Sequence, residues 1–197
     1  MYSDHQESFG NYTAILREEL VPAMGCTEPI AIAYAAAKAK ELLGEEPLRI
    51  TVDCSGNIIK NVKGVTVPNS GGQKGIAVAA VLGITGGDAS KELEVIAGAD
   101  DAARARCKEL VESSFCEVNH AEDVPNLYIS AKIRGEAHSA EVVIEHHHTN
   151  IVRMTRDGVL VFSKEAEEEA AEAQAAANAA DRSAMTLRGI LDYANGV

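Results

Sequence analysis

The 197-residue chain reads as an α+β fold, with N-terminal helices and a glycine-rich loop followed by an antiparallel sheet of hairpins and C-terminal helices. Three observations predict it. Apolar and small residues recur at helical spacing through the first third, most densely in AIAYAAAKAKELL. The segment NSGGQKG, 69–75, then breaks the pattern and opens directly onto the small-residue run IAVAAVLGI, 76–84. From Phe115 onward the period becomes two, with turns at Gly135 and at the Asp157-Gly158 pair, a strong hairpin signal.

Taken in order, residues 11–21 space Ile15, Leu16, Leu20 and Val21 as a helix that Pro22 ends. Thr27 is a candidate cap for the second helix, Pro29 suits its first turn, and Gly44 stops it. LRITVDC, 48–54, alternates as a strand, SGN follows as a turn, and GVTVP, 64–68, is a short extended piece. After the glycine-rich loop and its helix, SKELEVIAG and ADDAARARCKELVES predict two further helices separated at Gly98. FCEVNH, LYISAKIRG, HSAEVVIEHHH, NIVRMTR and VLVF predict strands. The alanine-rich, acidic stretch from Lys164 predicts a solvated helix, and TLRGILDYANGV a last short one. The expected organisation is a mixed domain over 1–163 and a helical linker over 164–197 that begins a further C-terminal part.

Composition narrows the function classes. The net charge is −12, which argues against nucleic acid or an anionic membrane as partner, since both select basic surfaces. Tryptophan is absent and aromatics make up 4%, so the core must be built from Ala, Val, Ile and Leu. The four cysteines, at 26, 54, 107 and 116, form no CxxC pair and match no common zinc spacing. The polar N-terminus is no signal peptide, and no apolar run approaches the roughly 18 residues that cross a membrane. A cytoplasmic protein with reduced thiols is the expectation.

Three stretches carry residue types suited to chemistry. Cys26, in MGCTEP, stands at the mouth of a predicted helix, where the partial positive charge and free amides lower a thiol's pKa. That suits a nucleophile or a metal ligand; the alternative is an inert, packed cysteine. In the loop around Asn69, Ser70, Gly71, Gly72 and Lys74, glycine amides at a helix start could converge on a carboxylate or a phosphate. The spacing is neither GxxxxGK[ST] nor GxGxxG, and a plain turn with positive φ is the competing reading. In EHHHTN, 145–150, a strand would put His146 and His148 on one face and His147 on the other, able to bind metal or to serve as acid and base, or simply to end an exposed strand. Cys54, Cys107 and Cys116 read as packing residues.

These stretches occur together and in order as ELVPAMGCTEPIAIAYA, SGNIIKNVKGVTVPNSGGQKGIAVAAVLG and IEHHHTNIV. Across about residues 11–162 the set resembles the L-cysteine desulfidase family, relatives of the iron–sulfur L-serine dehydratase α chain. The resemblance implies loss of sulfide from L-cysteine, or water from L-serine, to give pyruvate and ammonia without pyridoxal phosphate. It implies a [4Fe–4S] cluster held by three cysteines with one iron open as Lewis acid, and makes Cys26 one of its ligands. His147 and His148 become catalytic candidates; Asn69, Ser70, Gly71, Gly72, Lys74, Thr149 and Asn150 become candidates for substrate binding. Members of that family are longer, with the other cluster cysteines in a C-terminal half. The chain is therefore expected to be an N-terminal part whose missing half is supplied in cis or in trans, and self-association is compatible with it. The rival expectation is a non-catalytic small-molecule-binding or assembly module that has lost the catalytic half.

Overall fold

The computed structural model describes residues 2–20, 22–165 and 181–196. Contacts divide the chain into two compact units, Ala23–Glu167 and a smaller one of Met1–Pro22 with Glu168–Val197; the one boundary expected from the sequence lay at 163/164. Apart from residues 164 and 165, which are helical, and the last short helix, the helical stretch expected from Lys164 falls on residues outside those described.

The larger unit is built around one helix. Helix α2 (Thr27–Leu43) is buried almost all round, from Pro29 through Ala37 and again at Ala39 and Leu43. A helix apolar on every face must be enclosed on every side, and its alanines allow close approach. It packs against α4 (Ile76–Gly86) on one side and against β3 and β4 (Tyr128–Arg134 and Ser139–Glu145) on the other. Gly83 makes the helix crossing: a Cβ there would collide with the carbonyl oxygen of Ala33. Gly44, at φ 75, closes α2 with its N–H on the Lys40 carbonyl, the left-handed end that glycine permits.

Six strands form one mixed sheet in the order β2-β1-β3-β4-β5-β6, with β1 (Arg49–Ser55), β2 (Cys116–Ala121), β5 (Ile151–Arg156) and β6 (Val159–Ser163) completing it. The α+β class is as expected from the sequence, and β3 to β6 are the expected antiparallel hairpins. What differs is the other end. β1 belongs to the same sheet, inserted between β2 and β3, and pairs β2 in parallel. A parallel pair needs a long crossover, which here consists of α3 (Gly56–Val62), α4 and α5 (Asp101–Glu112).

Two local expectations are corrected. SGN is the start of α3, because the Ser55 hydroxyl accepts from the Ile58 amide and caps it. SKELEVIAG is only a 3-10 turn, Ala89–Glu94, kinked where Glu92 takes φ 46. The Asp157-Gly158 turn is as read, with φ 53 and 76 at the two central positions.

In the smaller unit, α1 (Tyr2–Glu19) starts earlier than the apolar spacing suggested and accompanies α6 (Leu187–Gly196). Phe9 meets Tyr193 edge-on at 5.2 Å between ring centroids, and Thr13 Oγ1 lies 2.9 Å from the Tyr193 hydroxyl. No helix among the described residues is long and apolar enough to cross a membrane.

Candidate functional site

The mouth of α2 brings the cysteine stretch and the histidine stretch together, with Pro68, at the head of the glycine-rich loop, beside Gly25. Cys26 occupies the N-cap position with φ −63 and ψ 119, and its thiol is exposed. It makes no capping bond; instead Sγ–H donates to Glu28 Oε2 at 3.2 Å. The other carboxylate oxygen, Oε1, accepts from Asn61 Nδ2 of α3 at 3.4 Å. Thr27, the expected cap, lies inside the helix, and its hydroxyl is 3.2 Å from His148 Nε2. Gly25, at φ 119, turns the chain into this position, and a Cβ there would touch Pro68 Cγ at 3.4 Å. The GCTEP turn therefore rests on the head of the glycine-rich loop.

Electrostatics at this mouth run against one expectation. The Cys26 thiol is held above its ordinary value, not below it: partial desolvation, the hydrogen bond to Glu28 and the Glu28 charge together outweigh the amides of the helix end. Glu28 lies below the usual carboxylate range. Desolvation pushes it up, but the Cys26 thiol, its own backbone amide, the His148 charge and the Asn61 amide pull it further down. The His148 imidazole is pushed down by desolvation, against the opposing pull of Glu28 and with help from neighbouring His147. The resting arrangement is a protonated thiol, a carboxylate and an imidazole kept neutral at pH 7.

The histidine run is not a strand. β4 ends at Glu145, His146 adopts φ 65, and residues 146–150 form a tight connection to β5. His147 donates its amide to the Glu145 carbonyl at 2.7 Å, and Asn150 donates to the His147 carbonyl at 3.1 Å. Strand alternation therefore does not decide which histidine points where. His146 and His147 are exposed, whereas half-buried His148 alone reaches the α2 mouth. Thr149 is half-buried in the same turn. The Asn150 side chain closes the turn, donating to the Glu145 carbonyl and accepting from Lys164.

The glycine-rich loop is held from within. Asn69, at φ 54, directs Nδ2 to the carbonyls of Ile96, Ala97 and Ala99, and its Oδ1 accepts from Arg104 at 2.8 Å. Ser70 is 1% exposed, and its hydroxyl donates to the Gln73 carbonyl. Those two side chains are thus occupied in shaping the loop. Gly71, Gly72 and Gly75 take φ 71, 91 and 94, so the loop needs glycine for its backbone. Space is open beside Gly72, where a Cβ would meet nothing within 4 Å. Lys74 joins Thr66 through an antiparallel bridge that leads into α4.

Two of the other cysteines make bonds of their own, Cys107 donating to the Val78 carbonyl and Cys116 to the Glu117 carbonyl. Burial pushes the Cys54 thiol up to about 12 and Cys107 to about 11, both with 0% exposure, and pushes half-buried Cys116 to about 12. Among the described residues no group of three or more His, Cys, Asp or Glu side chains is placed to hold a metal ion. The described residues alone therefore do not fit a complete iron–sulfur cluster; Cys26 is their one fully exposed thiol. Glu28 and Asn61 were quoted within the sequence motifs without a role. For Glu28 the one sequence signal was position, an acidic residue in the first helical turn two residues after the cysteine.

No protein-family model matches the chain, and no solved structure matches it. It is 43% identical over 183 residues to a UPF0597 protein of Lachnoclostridium phytofermentans, covering 93% of this chain and 42% of that one. It is 40% identical over 188 residues to a UPF0597 protein of Finegoldia magna, covering 95% and 44%. A UPF0597 protein of Treponema denticola is 41% identical over 188 residues, covering 94% and 42%. The chain spans less than half the length of these relatives. Over more than nine-tenths of its own length, then, its homologues are proteins named UPF0597.

Proposed function

We propose that this chain is one portion of an iron–sulfur-dependent lyase that removes sulfide from L-cysteine, or water from L-serine, to give pyruvate and ammonia. The observation supporting this reading is the convergence of a free thiol, a carboxylate and a neutral imidazole from separate motifs at one helix mouth. Cys26 would bind one iron of a [4Fe–4S] group whose other thiolates come from outside the described residues, and the group would supply Lewis acidity for the leaving group. His148 takes the α proton, because it is the neutral base of the site. Glu28 stabilises the imidazolium that results. The C–S or C–O bond then breaks, and the aminoacrylate released tautomerises and hydrolyses to pyruvate and ammonia. Backbone amides at Gly71 and Gly72, with Lys74, hold the substrate carboxylate, while His147 and Thr149 flank the base.

A chimera tests this. The sequence replaces the equivalent region of the full-length Treponema denticola relative, the protein is reconstituted anaerobically with iron and sulfide, and pyruvate is assayed with each amino acid. The expected result is pyruvate formation that Cys26→Ser abolishes. A folded, cluster-loaded chimera that makes no pyruvate from either would favour the non-catalytic module.

A further inference from the structure

A groove lined by charged and hydroxyl side chains lies on the exposed face of the sheet, and its chemistry is independent of the lyase reading. Arg49, Thr51, Lys132 and Arg134 point away from the side on which Ile50, Val52, Ala131 and Ile133 are buried. Arg49 and Arg134 stand directly opposite each other across the β1–β3 pair. Like charges so placed repel and destabilise a sheet. Arg49 escapes by pairing with Glu117 at 2.6 Å. Arg134 is exposed, and no described carboxylate pairs with it.

The acids nearby are already committed. Lys132 sits 2.6 Å from Asp53 and 3.8 Å from Glu141, and Glu141 also accepts from Ser130 and lies 3.4 Å from Arg153. Ser139 is the direct cross-strand partner of Arg134 on β4, and with Thr51 and Thr155 it lines the same open groove of about 490 Å³. That volume is in the range of small-molecule sites. An uncompensated guanidinium, a second arginine facing it and hydroxyls at hand form a receptor for an oxyanion, because a guanidinium fork matches a carboxylate or phosphate with two parallel hydrogen bonds.

We propose that this groove binds a small carboxylate- or phosphate-bearing molecule, with Arg134 as its anchor and the hydroxyls of Ser139 and Thr155 as secondary donors. The test is calorimetric titration of the full chain with inorganic phosphate and, separately, with malonate, at fixed ionic strength. At least one probe should bind saturably, and the tighter one tells phosphate from carboxylate chemistry. Arg134→Gln should weaken that binding at least tenfold. It should also leave the ligand-free Tm unchanged or raised, since it removes a like-charge opposition. Absence of saturable binding by either probe, equal binding to Arg134→Gln, or a fall in its ligand-free Tm would each overturn the proposal.

Discussion

The hydroxyl of Thr27 and the imidazole of His148, 121 positions apart in the chain, lie 3.2 Å from each other. This contact brings the histidine turn to the helix that begins beside Cys26. Through it the half-buried ring comes near Glu28, which opposes the desolvation that holds the ring neutral.

A first prediction concerns that ring. In a complete, cluster-loaded enzyme, His148→Gln should lower kcat by ~10²- to 10⁴-fold, the range for loss of a general base, with circular dichroism unchanged. Stability should respond to pH in a defined sense. The folded-state pKa of His148 lies below its unfolded value, so between the two the unfolded chain binds more protons. The contribution of the neutral ring is fully present above the ordinary histidine value and is lost as the pH falls through the folded one. Urea denaturation at pH 7.5 and 5.5 should show a smaller loss on acidification for His148→Gln than for the wild type.

Thiol accessibility supplies a second. Iodoacetamide on the folded chain should label Cys26 first, with Cys54 and Cys107 protected by burial. Because the Cys26 thiol is held above its ordinary value of 9.0, its labelling rate should still be climbing above pH 9. Glu28→Gln removes the carboxylate charge that helps hold it there and should speed labelling at pH 8, as read by mass spectrometry. An unchanged rate would mean that Glu28 does not control the thiol.

Helix packing gives a third. Gly83→Ala drives a methyl group into the Ala33 carbonyl at the α2–α4 crossing, and overpacking of this kind costs about 1–3 kcal/mol or more. Gly64→Ala, where a Cβ meets nothing within 4 Å, should stay within about 0.5 kcal/mol of the wild type. Urea midpoints of the two variants separate these outcomes.

The loop divides scaffold from contact. Asn69→Ala strips the Ile96, Ala97 and Ala99 carbonyls of a shared donor and should cost about 1–3 kcal/mol. Lys74→Ala should leave stability unchanged. In the complete enzyme, Gly72→Val, forced into φ 91 and filling the space beside the amides, should reduce kcat/KM more than Lys74→Ala does. Full activity in a folded Gly72→Val protein would show that the loop serves only as a turn.

Much of the fold was legible because its signals are local. The apolar saturation of 30–43 determined α2, the two-residue alternation determined β3 to β6, and Asp157-Gly158 determined their last turn. The position of Cys26 at a helix mouth was likewise visible in the residues themselves.

Four features were decided only by tertiary structure. β1 pairs β2 in parallel across the long crossover of α3, α4 and α5. The histidine turn delivers only His148 to the α2 mouth. Asn69 spends its side chain on backbone carbonyls 27 to 30 residues away. The Cys26 thiol is raised although it stands at a helix N-terminus. Periodicity senses a few neighbours along the chain, whereas strand partners, desolvation and charge depend on groups that meet only after folding. The helix end alone would have lowered the thiol's pKa; partial burial, which only folding sets, together with Glu28 two residues along, reversed the sign.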